Sequence, residues 1–133
     1  MPKQFRLTPP KISENDVEFG CMQVLQYRGY RPIRLHAGRW RSPDLKYWIK
    51  GVDMGTPDYI CIHPKYPAIY VETKRPGGKL SPEQEQKIWE IKEGYHLHVA
   101  VVDSPGALTE LLNQHEQRAT TAWLKLGVSS EDS

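Results

Sequence analysis

Within the 133 residues of this chain, the stretch with most to offer chemically is Pro57-Asp58, thirteen intervening residues, and then Glu72-Thr73-Lys74. Residues 59–63 and 68–74 are rich in apolar, β-branched and aromatic side chains and flank His63-Pro64-Lys65-Tyr66-Pro67, the pattern of two strands joined as a hairpin. Side chains alternate along a strand, so Glu72 and Lys74 share one face while Val71 and Thr73 take the other. A turn symmetric about Lys65 sets Asp58 opposite Glu72, with Cβ atoms roughly 4.5–5.5 Å apart. Carboxylates placed this way repel each other and loosen the pairing unless a cation lies between them. Oxygen-only ligands suit a hard ion, so Mg²⁺ or Mn²⁺ is favoured over zinc, and Lys74 beside it can hold a water or stabilise phosphoryl charge. Taken singly, the same residues have plain structural uses. Asp58 can cap the strand after Pro57, and Glu72 with Lys74 can form a weak ion pair on an exposed edge.

Two further polar side chains depend on the elements that carry them. Ser13 followed by Asp16 is a capped helix start, and Val17, Cys21, Val24 and Leu25 recur at helical spacing until Gly29, which predicts a helix over 14–28. Glu14 lies in register with that apolar stripe and is drawn to the edge of the core, although an acid in the first turn is also favoured by the helix dipole and Glu18 is a rival on nearly the same face. Ser81-Pro82-Glu83-Gln84 supplies an N-cap serine, a proline at the first helical position and a capping glutamine, which predicts a helix over 82–93 ending at Gly94. Gln84 closes the cap and also aligns with Ile88 and Ile91, pointing toward the end of the Glu72 strand.

The remaining elements frame these. Residues 1–12, with Pro9-Pro10, read as an extended lead-in. A strand is expected around Ile33 and Leu35, and a short one at Tyr47-Trp48-Ile49 follows a turn at Ser42-Pro43-Asp44. Residues 51–57 form a loop, 97–102 a buried strand, and Ser104-Pro105 opens a third helix carrying Leu108, Leu111 and Leu112. Trp123, Leu124 and Leu126 lie beyond that helix and are expected to pack in a homodimer, and the tail 127–133 is too polar to fold. The length fits a single domain over 13–126.

Composition narrows the class. With 38% apolar and 26% charged residues the chain is globular rather than collagenous, disulfide-built or disordered. No apolar run approaches the roughly 20 residues of a membrane span, and the N-terminus lacks a secretory h-region, so an intracellular, cytoplasmic protein is expected. Cys21 and Cys61 lack metal or redox spacing and read as buried thiols. The five histidines, His36, His63, His96, His98 and His115, show no ligand spacing either. The net charge of +2 conceals a division: residues 1–50 carry ten Lys/Arg against four Asp/Glu, and residues 51–133 carry eight against twelve. A basic half suits a polyanionic partner or is a merely solvated surface. Arg75 and Lys79, in a Gly-Gly loop beside the Glu72 strand, are the first candidates for contacts to the phosphates of such a partner. Arg39-Trp40-Arg41 with Lys50 forms a second cluster, whose Trp40 either stacks on an unpaired base or covers the core, and Arg31 and Arg34 follow. Trp48, Trp89 and Trp123 read as core or contact residues.

Joined in this order, the pieces resemble the PD-(D/E)xK nuclease superfamily, and within it the virus-type replication-repair nuclease domain, VRR-NUC. The resemblance rests on Glu14 in an early helix, Gly55-Thr56-Pro57-Asp58, Glu72-Thr73-Lys74, a glycine-bearing loop, Leu80-Ser81-Pro82-Glu83-Gln84 and the 94–102 strand, and it is to short stand-alone, phage-type members. It implies a restriction-endonuclease-like α/β fold, a mixed central β-sheet flanked by helices in an αβββαβ core. It further implies Mg²⁺ or Mn²⁺ on Asp58, Glu72 and the Thr73 backbone carbonyl, with Glu14 joining directly or through water. Lys74 would orient or deprotonate the attacking water, and Gln84 would help position it or the nearby phosphate. Thr73 stands where relatives usually carry a larger β-branched apolar residue, a change that bears on packing more than chemistry. The activity implied is metal-dependent DNA endonuclease, structure-specific on junctions or flaps in replication, repair or recombination, acting as a homodimer in a bacterial or phage-infected cell. Alternatives are a non-catalytic nucleic-acid-binding module with the same fold and a nuclease that needs a partner protein.

Overall fold

In a computed structural model that describes residues 11–127, the first helix, α1 (Glu14–Tyr27), starts at the capping box: Ser13 Oγ accepts from the Asp16 N–H at 3.1 Å and the Asp16 carboxylate accepts from the Ser13 N–H at 2.9 Å. Its stripe Val17, Cys21 and Leu25 is buried, and both cysteines are free thiols. Burial pushes the Cys21 thiol up to about 11 and the Cys61 thiol to about 12, the chemistry of inert core sulfur. Most of the lead-in and nearly all of the C-terminal tail lie outside the described residues.

Six strands follow: β1 (Arg31–Arg34), β2 (Arg39–Arg41), β3 (Trp48–Lys50), β4 (Tyr59–Ile62), β5 (Ile69–Thr73) and β6 (Val99–Val102). Four make one sheet in the order β1-β4-β5-β6, antiparallel up to β5 and parallel from β5 to β6. The parallel pair requires a crossover, supplied by α2 (Pro82–Trp89) and a π-helical turn, Glu90–Gly94. With β2 and β3 set aside, the order through β6 is αβββαβ, followed by one more helix, a mixed sheet flanked by helices, and the fold is α/β of restriction-endonuclease-like type. β2 and β3 pair only with each other, as an antiparallel ribbon inserted between β1 and β4.

The last helix, α3 (Pro105–Lys125), packs with α1 over one face of the sheet, where Leu108 and Leu112 meet Val17, Cys21, Leu25, Tyr59, Cys61, Ile69, Val71, Ala100 and Val102. Arg28 ties the end of α1 to α3 by donating to Asn113 Oδ1 at 2.7 Å and pairing with Glu116. The other face carries Ile60 and Tyr70, which line a groove with Ile91 of the π turn. No described helix is long and apolar enough to cross a membrane.

Three features correct, narrow or extend these expectations. The third helix extends through Lys125, so Trp123 and Leu124 belong to it rather than lying beyond it, and Trp123 stacks on Tyr66 with ring centroids 5.9 Å apart. Of the two readings of Trp48 and Trp89, core or contact, exposures of 58% and 62% exclude the core. Residues 39–41 form a strand, paired residue for residue with 48–50.

Candidate active site

The β4–β5 register places the two acids together. Tyr59 faces Val71, Ile60 faces Tyr70 and Cys61 faces Ile69, a turn symmetric about Lys65, and one more step sets Asp58 against Glu72. The Asp58 backbone N–H donates to Glu72 Oε2 at 2.9 Å, while Asp58 Oδ2 lies 3.4 Å from both the Thr73 N–H and its hydroxyl. Asp58 sits at the end of the loop 51–57, held by a close approach: Gly55, at φ +86°, passes so near the start of α2 that an added Cβ would lie 2.3 Å from the Glu83 carbonyl oxygen.

Glu72 is 1% exposed, an unusual position for a carboxylate. Its Oε1 accepts from the Gln84 side-chain amide at 2.9 Å and lies 3.7 Å from Lys74 Nζ. Burial first, and then the neighbouring Asp58 charge, push Glu72 up to about 7, with Glu14 adding a smaller repulsion and Lys74 opposing. Gln84 serves two purposes with one amide. Its carbonyl oxygen accepts from the Ser81 N–H at 2.9 Å, closing the capping box, and its NH₂ group holds Glu72.

The rival acids on α1 separate. Glu18 pairs with Arg34 at 2.8 Å and hydrogen-bonds the Tyr59 hydroxyl, so it is committed beside β1 and β4. Glu14 is exposed, makes no ion pair among the described residues and is near enough to Glu72 to raise it. It does not close a cluster: among the described residues no three His, Cys, Asp or Glu side chains gather tightly enough to hold a metal ion. Two carboxylates, one deeply buried and destabilised by the other, still form an oxygen-only donor pair of the chemical kind a hard divalent cation takes.

Arg75 and Lys79 are exposed on the loop after Lys74, where the Gly78 N–H donates to the Arg75 carbonyl at 2.8 Å. Arg39, Trp40, Arg41 and Lys50 are exposed on the ribbon, away from the sheet proper. Three of the five histidines have structural partners: His63 Nε2 meets the Arg28 carbonyl, and buried His115 meets the Pro67 carbonyl and His98. The contact between Arg41 and the Trp48 ring, 4.6 Å from guanidinium carbon to centroid, escaped sequence reasoning because it depends on the ribbon register.

A mixed αβββαβ sheet with an acidic pair and a lysine at the junction of its central strands defines a nuclease-type α/β protein. The family model for the VRR-NUC domain matches residues 33–105, from β1 to the first residue of α3, and the chain belongs to that nuclease family. The match includes Asp58, Glu72, Lys74, Gln84 and the ribbon, while Glu14 lies outside it. No curated protein matches the chain.

Proposed function

We propose that the protein is a Mg²⁺- or Mn²⁺-dependent DNA endonuclease that hydrolyses phosphodiester bonds in branched or flapped DNA and works as a homodimer. The observation that carries the reading is the pairing of half-buried Asp58 with buried Glu72, whose carboxylate also meets Lys74 and Gln84. Asp58, Glu72 and the Thr73 carbonyl would hold the cation, with Glu14 contributing through water rather than as a direct ligand. Bound there, the cation supplies polarisation of the scissile phosphate and acidifies a water.

The chain's own groups divide the remaining work. Lys74, 16% exposed at its side chain and tethered to Glu72, is set to orient the attacking water or take its proton. Gln84 is a positioning residue: anchored by the helix cap, it fixes the Glu72 carboxylate against rotation. Arg75 and Lys79 neutralise phosphates flanking the cut. Cleavage of labelled linear duplex, single strand, flap and four-way junction with Mg²⁺, Mn²⁺ or EDTA tests the proposal. Metal-dependent cutting lost by at least about a hundredfold in Lys74→Ala is expected, the scale at which a positioned acid–base group acts. Binding without cutting under every metal would instead leave a nucleic-acid-binding module.

A further inference from the structure

The β2–β3 ribbon sorts its side chains by face. Arg39 lies opposite Lys50, Arg41 opposite Trp48, and Trp40 opposite Ile49. Strand alternation therefore puts Arg39, Arg41, Lys50 and Trp48 on one side, and Trp40 with Ile49 on the other. The second side turns back on the base of the ribbon. Trp40 meets His36 edge-on at 6.0 Å between centroids and crowds Gly51, where an added Cβ would lie 2.9 Å from the indole. The first side faces outward, with Trp48 58% exposed and Arg41 over one face of its ring.

This outward side is electrostatically incomplete. Like charges directly opposite one another weaken an antiparallel pair, and a two-stranded ribbon has little stability to spare. Yet Arg39 faces Lys50, and among the described residues neither they nor Arg41 form an ion pair with any carboxylate. The nearest acids in sequence are engaged elsewhere: Asp44 accepts from the Ser42 hydroxyl at 2.6 Å and the Lys46 N–H at 3.2 Å, and Asp53 pairs with Lys87 at 3.3 Å. Three cations without counter-charge beside an open indole match a strand of nucleic acid, phosphates on the cations and a base on the ring. The open ring selects the form of that strand, because bases within a duplex already stack on one another and an unpaired base has a free face.

We infer that the ribbon is a single-strand clamp: Arg39 and Lys50 hold successive phosphates and Trp48, rather than Trp40, stacks on an unpaired base. The inference rests on the DNA-hydrolase reading in that the held strand is the one led to the acids, since β3 runs through residues 51–57 directly into Asp58. It names the substrate feature selected, an unpaired segment beside the cut.

The test is binding in EDTA, where nothing is cut, by fluorescence anisotropy of the full chain with a labelled 20-nucleotide single strand and with a duplex of the same sequence. Trp48→Leu, which keeps apolar bulk and removes the π face, is expected to weaken single-strand binding by about 5- to 100-fold. It should change duplex binding by less than about twofold, with Trp48→Phe retaining most of the single-strand affinity. Replacing both Arg39 and Lys50 with alanine is expected to reduce the slope of log affinity against log salt on the single strand by about 1.4. Unchanged single-strand affinity in Trp48→Leu, an equal loss on duplex, or a larger loss in Trp40→Leu would overturn the inference. Single-strand selectivity that depends on Trp48 supports it even where no metal restores cutting, a result that removes the catalytic reading alone.

Discussion

At the scale of residues, Glu72 is the side chain on which stability and chemistry conflict. Unfolded, it titrates near the ordinary 4.5; folded, burial and Asp58 hold it near 7, so the folded form binds the proton more tightly. The stabilisation from this proton is complete below about pH 4.5 and is lost as pH rises through 7. An ionised Glu72 therefore weakens the metal-free fold by roughly 3 kcal/mol at most. Glu72→Gln should raise the thermal midpoint of the metal-free protein above wild type at pH 8 and match it at pH 5. Equal midpoints at both values would mean that the buried charge is compensated within the chain. This pair was legible in the sequence because hairpin register follows from counting about Lys65. The double use of Gln84 was legible in its two halves, cap and inward alignment, but only the fold shows one amide serving both. The choice for Trp48 between core and contact was open in the sequence, because apolar type alone does not say which face of a ribbon an indole takes; its exposure excludes the core.

At the scale of elements, the sequence marks ends better than faces. Both capping boxes and the proline that opens α2 lie where side-chain chemistry requires them, since a cap is a local bargain among four residues. The π turn that finishes the second helix and the full length of α3 depend on packing against the sheet, and local spacing does not reveal them. The loop bearing Asp58 is the element most exposed to a single change. Gly55→Ala forces a side chain into the left-handed region and onto the Glu83 carbonyl, and should cost about 2 to 4 kcal/mol in urea unfolding. Gly77→Ala is the control: φ is +76°, nothing lies within 4 Å of the added Cβ, and only about 1 to 2 kcal/mol is expected. If the two variants unfold alike, the contact with α2 does not hold the loop.

At the scale of the whole molecule, the described residues hold one such site, Asp58 with Glu72, and on the proposed reading one site cuts one strand at a time. Severing both strands of a branched DNA in register calls for two chains, and a two-fold pair presents the same patch from each. Of the patch at the end of α3, Trp123 is occupied within the chain by Tyr66, which leaves Leu124 and Leu126, 71% and 76% exposed, as its apolar remainder. Light scattering on the eluting protein should give twice the 15.3 kDa of one chain. Replacing both leucines with aspartate should halve that mass while leaving the far-UV circular dichroism of the folded chain unchanged, because neither side chain is buried within the chain itself. The monomer so made should retain cation-dependent nicking while losing paired cuts on a four-way junction. A wild-type mass of one chain would end the dimer proposal and leave the acidic pair as a single-strand nickase.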